Sequence, residues 1–421
     1  MHGPTRSTPH PYGVSMPFRA LNAVGARMGR SALRALAPLD VDVLSERARR
    51  RTGLIDPGEG WFWEGLRVLS ASLEDEADLA LLGRLGFGDE IERQIANRLL
   101  LREDVRREPR IAEQRTPRPV FIVGYPRTGT TLLHNLMILH PDAHAPRFWR
   151  LQAPSPPVRP EDEARDPRRA AARRRVRFAH AVCPIFATIH ELSADGPEEC
   201  VFLMQNTLLP CVRAETPSYR RWALAQDLVP DYQHHRRQLQ VLQWGCPEGR
   251  WVLKSPFHLP AIAALLQVYP DACVVMTHRD PLRVVPSFCS LVAAARAMHQ
   301  RRVEPRAVGP GALELLGAMM DRFLEARARL DPARFFDASY EELTADPAGL
   351  VRRIHERFGL GFDGAASARI EGWMREHPQH RCGVHRYTLD EFGLTEREVL
   401  DRFGGYLERF GELAAGKRGR S

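Results

Sequence analysis

The sequence predicts an α/β fold: a parallel sheet flanked by helices, with a helical N-terminal extension and a helical insertion. Four short apolar runs are interpreted as strands, and each leads into a loop and a helical pattern, as in βαβ units. The first run is followed by a glycine loop, and residues 1–115 are helical and irregular in pattern. The predicted strands are Val120–Val123, Trp251–Leu253, Cys273–Thr277 and Arg334–Asp337.

Residues 1–115 are predicted to form the N-terminal extension, and residues 116–421 the α/β domain, in which 142–247 is a mostly helical insertion. Within the extension, Ala71–Leu101 has helix-forming composition, and we expect the glycines between Gly83 and Gly88 to interrupt it. Residues 16–37 form a basic, amphipathic stretch. We interpret it as a helix packed on the protein body, and the alternative is contact with an anionic membrane surface.

Bulk composition narrows the class of protein. The 421 residues carry a net charge of +8, which favours anionic ligands without choosing among nucleotides, nucleic acids and lipid headgroups. The seven cysteines are odd in number and scattered, as expected for reduced thiols in a cytoplasmic protein. With no apolar stretch of about 20 residues and no secretory signal, no stable membrane insertion is expected.

The first strand runs into a turn that is suited to binding a phosphate. Gly124-x4-Gly129 has the glycine spacing of a Walker A loop, so the predicted sheet is P-loop-like. Thr130 stands where that motif has a lysine, which argues against hydrolysis of ATP or GTP. Arg127 supplies a cation within the loop itself, which fits one phosphate better than a triphosphate.

Further polar side chains follow the other predicted strands, where ligands bind in open parallel sheets. Lys254 ends the second strand and Arg279 the third. Ser287 follows a little over two helical turns later. If a helix begins near Asp280, the guanidinium and the hydroxyl can reach the same phosphate. A Tyr-Glu-Glu-Leu segment begins at Tyr340, after the fourth strand.

In this order, these segments resemble sulfotransferases that use 3′-phosphoadenylyl sulfate (PAPS), specifically the bacterial branch with a Pro-Arg-[Ser/Thr]-Gly-Thr-Thr loop. The resemblance implies transfer of a sulfuryl group from PAPS, as co-substrate, to a hydroxyl or amine of a small-molecule acceptor. It implies no metal and no nucleic-acid partner, and it places the 142–247 insertion on the acceptor side. The loop would hold the 5′-phosphosulfate end of PAPS, and Arg279 and Ser287 would hold its 3′-phosphate. The implied donor-binding residues are Arg127, Thr128, Gly129, Thr130, Thr131, Arg279 and Ser287.

Catalysis of such a transfer depends on positioning and electrostatic stabilisation. We predict that Arg127 and Lys254 stabilise charge on the bridging and sulfate oxygens. His190 is the first choice of general base, because an imidazole titrates near neutral pH. A structural histidine and a glutamate of the same segment are the alternatives. The nearby Pro197-Glu-Glu motif also suits the first turn of a helix.

A C-terminal segment from His377 to Tyr387 contains three histidines and a cysteine. In the family, basic C-terminal loops close over the nucleotide, which implies a donor-facing role for Arg381, His385 or Tyr387. Ordinary surface packing and a zinc site are the alternatives.

Two other functions are left open by the sequence. A nucleotide kinase or other P-loop NTPase is disfavoured by Thr130. A non-catalytic nucleotide- or polyanion-binding protein is suggested by the arginine run at 165–177, for which a solvated helical face is the simpler interpretation. Several residues could line an apolar acceptor pocket, and core packing is the alternative for most of them. They are Phe186, Phe202, Met204, Trp222, Phe257 and Phe288. A lipid, sterol, phenol or carbohydrate could be the acceptor, and a hydrophobic alcohol is slightly favoured.

Overall fold

A sheet of five parallel strands forms the centre of the computed structural model, which describes residues 12–58, 60–190, 192–246, 248–377 and 387–416. The spatial order of the strands is β2-β3-β1-β4-β5, and helices flank the sheet, which confirms the predicted fold class. The edge strand β2 was not predicted, because two residues are too few to show a pattern. The strands are β1 (Val120–Gly124), β2 (Ala143–His144), β3 (Arg250–Lys254), β4 (Cys273–His278) and β5 (Phe335–Ser339).

The register aligns the carboxyl ends of the central strands. Ile122 of β1 lies opposite Lys254 of β3, and Gly124 lies opposite Thr277 of β4. His278 at the end of β4 lies opposite Ser339 at the end of β5. The residues that follow these strands therefore meet at one edge of the sheet.

From residue 12 onward, the described N-terminal part is mostly helical, with short connections. Its helices are α1 (Met16–Arg27), α2 (Arg30–Leu36), α3 (Val41–Thr52), α4 (Trp61–Asp75) and α5 (Leu81–Arg107). The prediction that glycines interrupt this region was wrong, because α5 runs unbroken from Gly83 past Gly88. A Cβ at Gly83 would lie 1.9 Å from the carbonyl oxygen of His299. The glycine thus permits a close approach between two segments of backbone.

The segment between β1 and β3 is mostly helical, as predicted. After the loop it comprises α6 (Thr130–Met137), α7 (Phe148–Gln152), α8 (Pro167–Val182), α9 (Phe186–Ile189), α10 (Leu209–Arg213), α11 (Pro217–Ala225) and α12 (Val229–Gln243). The arginine run lies largely on α8, where Arg169 and Arg173 pair with Asp195 and Arg175 pairs with Asp89. Several of these guanidinium groups are thus engaged by the chain's own carboxylates.

The C-terminal part covers the remaining edge of the sheet. Its helices are α13 (Ile262–Val268), α14 (Pro281–Ala297), α15 (Pro305–Arg327), α16 (Tyr340–Ala345), α17 (Pro347–Phe358), α18 (Gly364–Glu376), α19 (Glu396–Arg402) and α20 (Gly404–Ala414). Helix α14 begins directly after Asp280, whose side chain accepts a hydrogen bond from Leu282 N–H, as the predicted helix start requires. Within the described part of the chain, every helix is too short or too polar to cross a bilayer.

Alternation along β1 divides the core into two layers. Phe121 and Val123 belong to the same buried cluster as Phe87 and other residues of the N-terminal helices, whereas Ile122 belongs with Leu133 to a cluster on the opposite face of the sheet. Successive side chains of a strand point to opposite faces, so one strand serves both layers. The N-terminal helices share the first layer. The boundary at residue 115 stays a prediction.

Candidate active site

The loop between β1 and α6 has a backbone that only particular residues allow. Gly124 has φ 141° and Gly129 has φ 85°, a region that favours glycine. A Cβ at Gly124 would lie 2.4 Å from Thr277 Oγ1, and one at Gly129 would lie 2.9 Å from Leu343 Cδ2. Arg127, at φ 75°, also adopts the left-handed conformation. Such strain is typical of functional loops.

The threonines of the loop have different surroundings. Thr128 is fully buried, and its hydroxyl lies 2.6 Å from Thr277 Oγ1 and 2.7 Å from the carbonyl oxygen of Tyr125. That hydroxyl braces the loop through contacts within the chain itself. Thr130 is buried at the first position of α6. Thr131 is exposed, and its Oγ1 accepts a hydrogen bond of 3.4 Å from Lys254 Nζ.

Arg127 connects three segments that are distant in sequence. Its Nε donates to Ser287 Oγ at 3.1 Å, and its Nη1 donates to the carbonyl oxygen of Ile189 at 2.9 Å. Its own carbonyl oxygen accepts from Arg279 Nη1 at 2.8 Å. The Arg279 and Ser287 pair predicted for one phosphate therefore converges on the glycine loop. The chain brings two guanidinium groups and the buried Ser287 hydroxyl together at this end of the sheet.

The Tyr-Glu-Glu-Leu segment contacts this cationic group directly. Tyr340 and Leu343 pack against Gly129, and the guanidinium of Arg279 lies 3.8 Å from the centroid of the Tyr340 ring. A cation over an aromatic face is held by the ring quadrupole. The segment thus positions both the loop and Arg279.

Of the C-terminal residues, Tyr387 lies near the loop. Arg127 retains access to solvent, yet the surrounding protein desolvates it and lowers its pKa, and interaction with Tyr387 partly offsets that effect. Arg381 and His385 lie outside the described residues. The zinc alternative depends on that same segment, and elsewhere in the described chain no group of side chains suited to a metal ion is found.

Lys254 is buried at the carboxyl end of β3, with 2% of its surface exposed. Its Nζ lies 3.0 Å from Glu199 Oε1 and 3.7 Å from Glu198 Oε1. Burial alone would lower the pKa of Lys254, but the two carboxylates outweigh it and raise that pKa above its ordinary 10.5. The lysine is therefore charged, and it is held beside the start of α6.

His190, which directly follows α9, lies against the same carboxylates. Its Nε2 is 3.4 Å from Glu198 Oε2, and its side chain is 28% exposed. Burial alone would raise the pKa of Glu198, but electrostatic interactions with His190 and Lys254 lower it below its usual range. Glu198 therefore holds the predicted base and the predicted catalytic lysine at once.

The role of Glu198 as a bridge was missed, because the sequence motif also suits a helix start. The backbone N–H of Glu198 donates to the carbonyl oxygen of Pro146 at 3.1 Å, in an isolated bridge between Arg147 and Pro197. Pairing with the segment that follows β2 thus aims Glu198 inward. The Pro197-Glu-Glu motif contains the glutamate, but only the long-range pairing shows that its side chain points to Lys254 and His190.

A cleft of about 490 Å³ lies elsewhere. It is lined by Asp104, Arg107, Trp244 and Gly245, among others. Trp244 and Gly245 precede β3, at the amino ends of the strands. Ligands of open parallel sheets bind beyond the carboxyl ends of the strands. The candidate site is therefore placed where the cations converge and not in this cleft.

Comparison with known proteins identifies the family. The model of the sulfotransferase family matches residues 119–364. The chain belongs to the sulfotransferase family. This sulfotransferase is similar to the crystal structure of STF1 from Mycobacterium tuberculosis H37Rv, with 32% identity and a TM-score of 0.78 over 87% of this chain and 98% of that one. It is also similar to STF9 from Mycobacterium avium, with 31% identity and a TM-score of 0.80 over 88% of this chain and 96% of that one.

A curated relative of this sulfotransferase has a named acceptor. The omega-hydroxy-beta-dihydromenaquinone-9 sulfotransferase Stf3 of Mycobacterium bovis is 27% identical over 308 residues, which are 68% of this chain and 75% of that protein. Family membership and these relatives support sulfuryl transfer as the activity of this protein.

Proposed function

We propose that this sulfotransferase moves a sulfuryl group from PAPS to a hydroxyl of a hydrophobic small molecule, leaving adenosine 3′,5′-bisphosphate. The observation that carries the proposal is the convergence of Arg127, Lys254 and the His190–Glu198 pair at one end of the sheet. The group contains cations for a charged donor and a base for an alcohol, which are the two requirements of the reaction.

The residues around the loop fit an anionic donor. The backbone from Arg127 to Thr131, at the start of α6, and the Arg127 side chain suit the 5′-phosphosulfate end. Arg279 and Ser287 suit the 3′-phosphate, which distinguishes PAPS from ATP. Tyr387 is assigned to the same donor, and so are Arg381 and His385. A side chain at Gly124 or Gly129 would collide with the residues packed against the loop and would disturb its fold.

The proposed chemistry is an in-line displacement at sulfur. His190 takes the proton of the acceptor hydroxyl while that oxygen bonds to sulfur and the bond from sulfur to the phosphate oxygen breaks. Arg127 and Lys254 stabilise the negative charge that develops on the bridging and sulfate oxygens. Glu198 stabilises the imidazolium that forms and keeps the Lys254 ammonium in place. No metal is assigned a role.

An acceptor with an apolar body fits the surroundings of the proposed base. The ring of Phe186 lies 5.8 Å from that of His190, centroid to centroid, and Phe186 packs against the buried Val182 and Cys183. The relative from Mycobacterium bovis is named for a hydroxylated menaquinone, which supports a lipid alcohol as the acceptor class.

The donor is tested by binding and by transfer. We expect adenosine 3′,5′-bisphosphate to raise the melting temperature of the purified protein more than ATP with Mg²⁺ does, because Arg279 and Ser287 recognise the additional phosphate. We also expect PAPS to sulfate a long-chain alcohol, detected by mass spectrometry. A response to ATP alone, with no sulfated product, would favour the kinase alternative and contradict the proposal.

The base is tested with matched variants. We expect His190→Asn to lower kcat by about 10²- to 10⁴-fold and Glu198→Gln to lower it less, since Glu198 acts through the histidine. The control is His140→Asn, because His140 lies against Asp142 and His355 instead. If Glu198→Gln lost more turnover than His190→Asn, the base would be Glu198.

A further inference from the structure

The first two helices form an exposed surface that sulfuryl transfer does not explain. Helix α1 packs on the body through Phe18, Asn22 and Gly25, which recur along one face, and Asn22 Oδ1 accepts a hydrogen bond from Leu82 N–H at 3.1 Å. Helix α2 is anchored by the buried Leu33. One side of each helix therefore packs on the protein body, and the opposite side faces away from it.

The outward side of these helices is apolar. Met16 is 73% exposed, Leu21 39%, Val24 55% and Leu36 52%. On the neighbouring helix α8, Phe178 is 53% exposed and packs edge-on against Phe18. These five are a majority of the nine large apolar side chains found exposed in the described chain. Exposed apolar residues gathered in this way indicate an interaction surface.

The charges that α1 and α2 contribute to this surface are of one sign. The sequence contains no Asp or Glu before Asp40, whereas α1 and α2 carry four arginines. Arg34 pairs with Glu74, and Arg19 donates to the carbonyl oxygen of Val14. Arg27 and Arg30 are exposed, and neither makes an ion pair with the described residues. We call the exposed side chains Met16, Leu21, Val24, Leu36, Arg27 and Arg30 the N-terminal face.

We propose that the N-terminal face docks the protein on the surface of an anionic lipid bilayer. Helices that lie in a membrane interface combine an aliphatic side with flanking arginines, because the apolar groups enter the acyl region and the cations contact lipid phosphates. The absence of acidic residues from this segment is the charge complementarity that such a surface requires.

The position of the face is consistent with delivery of a lipid acceptor, which rests on the proposed function. The start of α1 lies against the end of α8, where Ser15 N–H donates to the carbonyl oxygen of Val182 at 2.9 Å. Phe18 belongs to the same cluster as Phe186, which contacts His190. The face is thus next to the segment that carries the proposed base. Docking itself does not depend on that role.

The test is co-sedimentation of the full chain with vesicles of phosphatidylcholine alone or mixed with phosphatidylglycerol. We expect binding to the anionic vesicles only, weakening as salt is added. Arg27→Glu with Arg30→Glu should reduce the partition coefficient by at least about fivefold per residue. Leu21→Ser with Val24→Ser should reduce it by a similar factor.

The control is Ile55→Ser with Leu400→Ser, because these side chains are also exposed but lie outside the face. We expect the control to bind like the wild type. All variants should keep the melting temperature, the response to adenosine 3′,5′-bisphosphate and the kcat for a water-dispersed alcohol. These readouts separate a failure of docking from a failure of the proposed activity.

Two results would overturn the proposal. One is equal binding of wild type and face variants to anionic vesicles, or no binding by either. The other is a dimer of the wild type, seen by sedimentation equilibrium without lipid, that is lost in Leu21→Ser with Val24→Ser. The face would then be an interface between two copies of the chain.

Discussion

Cations have opposite surroundings in two regions of the molecule. Lys254, at one end of the sheet, is buried and paired, whereas the arginines of the N-terminal face are exposed. Lys254 is 2% exposed and lies between the carboxylates of Glu198 and Glu199. Arg27 and Arg30 are exposed and form no ion pair with the described chain. Water solvates a surface guanidinium at little cost, whereas a buried ammonium without a partner costs several kcal/mol. Lys254 therefore needs a carboxylate partner, whereas the arginines of the N-terminal face do not.

In the comparison of these two regions, the largest effect should come from removing the buried cation. We expect Lys254→Met to lower kcat by about 10²- to 10³-fold, since the transition state loses a charge that stabilises it. It should also lower the free energy of unfolding by about 3 to 5 kcal/mol, because two carboxylates are left without their partner. Initial rates and urea unfolding measure the two effects.

A second substitution separates these two contributions. Lys254→Met with Glu199→Gln should recover part of the stability without recovering kcat. Wild-type turnover in Lys254→Met would remove the lysine from the mechanism.

Arg279 should show a smaller effect, confined to donor binding. We expect Arg279→Ala to raise the KM for PAPS about tenfold to a hundredfold, as for loss of a charged hydrogen bond, with a smaller change in kcat. Arg283→Ala, exposed on helix α14 four residues later, is the matched control and should keep the wild-type KM. An unchanged KM in Arg279→Ala would remove the proposed 3′-phosphate contact.

The pairing should also appear in the pH dependence of stability. The pKa of Glu198 is lowered from 4.5, so its contribution is present above that pH and is lost as pH falls through the folded-state pKa. The pKa of Lys254 is raised from 10.5, so its contribution is present below that pH and is lost as pH rises through the folded-state pKa. A pKa that differs by one between the folded and unfolded states contributes about 1.4 kcal/mol to the free energy of unfolding.

The corresponding measurement is urea unfolding of the wild type and of Lys254→Met with Glu198→Gln across this range. The difference between the two should be constant from about pH 5 to 10 and should shrink outside it. A difference that stays the same at both extremes would show that the two groups are not linked to folding through their charge.

The smallest effect should be on the N-terminal face. We expect Leu21→Ser with Val24→Ser to change the free energy of unfolding by less than about 0.5 kcal/mol, because both side chains are already exposed. Gly25→Leu, on the packed side of α1, should be costly, since a Cβ there would lie 2.6 Å from Leu81 Cβ. Comparable losses in both variants would mean that α1 is buried on both sides.

Local sequence was enough to predict the elements whose signal is local. The β1 strand, the turn at Gly124 and Gly129 and the start of α14 at Asp280 were each predicted from adjacent residues. The continuity of helix α5 through its glycines was not predicted, and neither was strand β2. Gly83 allows the close approach of a carbonyl beyond α14, and β2 is defined by its pairing with β3. Both depend on distant contacts.

The candidate site divides in the same way. Arg127, Lys254, His190 and Arg279 were chosen because of residue type and place along the chain, and the structure brings them together. Their roles stay predictions. The link from Arg127 to Ser287 joins groups 160 residues apart, and no spacing predicts it.

By itself, the sequence determined the fold class, the glycine turn after β1 and the family, because each of these resides in short runs of adjacent residues. Only the tertiary structure decided that Glu198 joins the histidine to the lysine and that α1 keeps an apolar side in water. Burial and pairing are properties of a position in space, and residues far apart in the chain create that position.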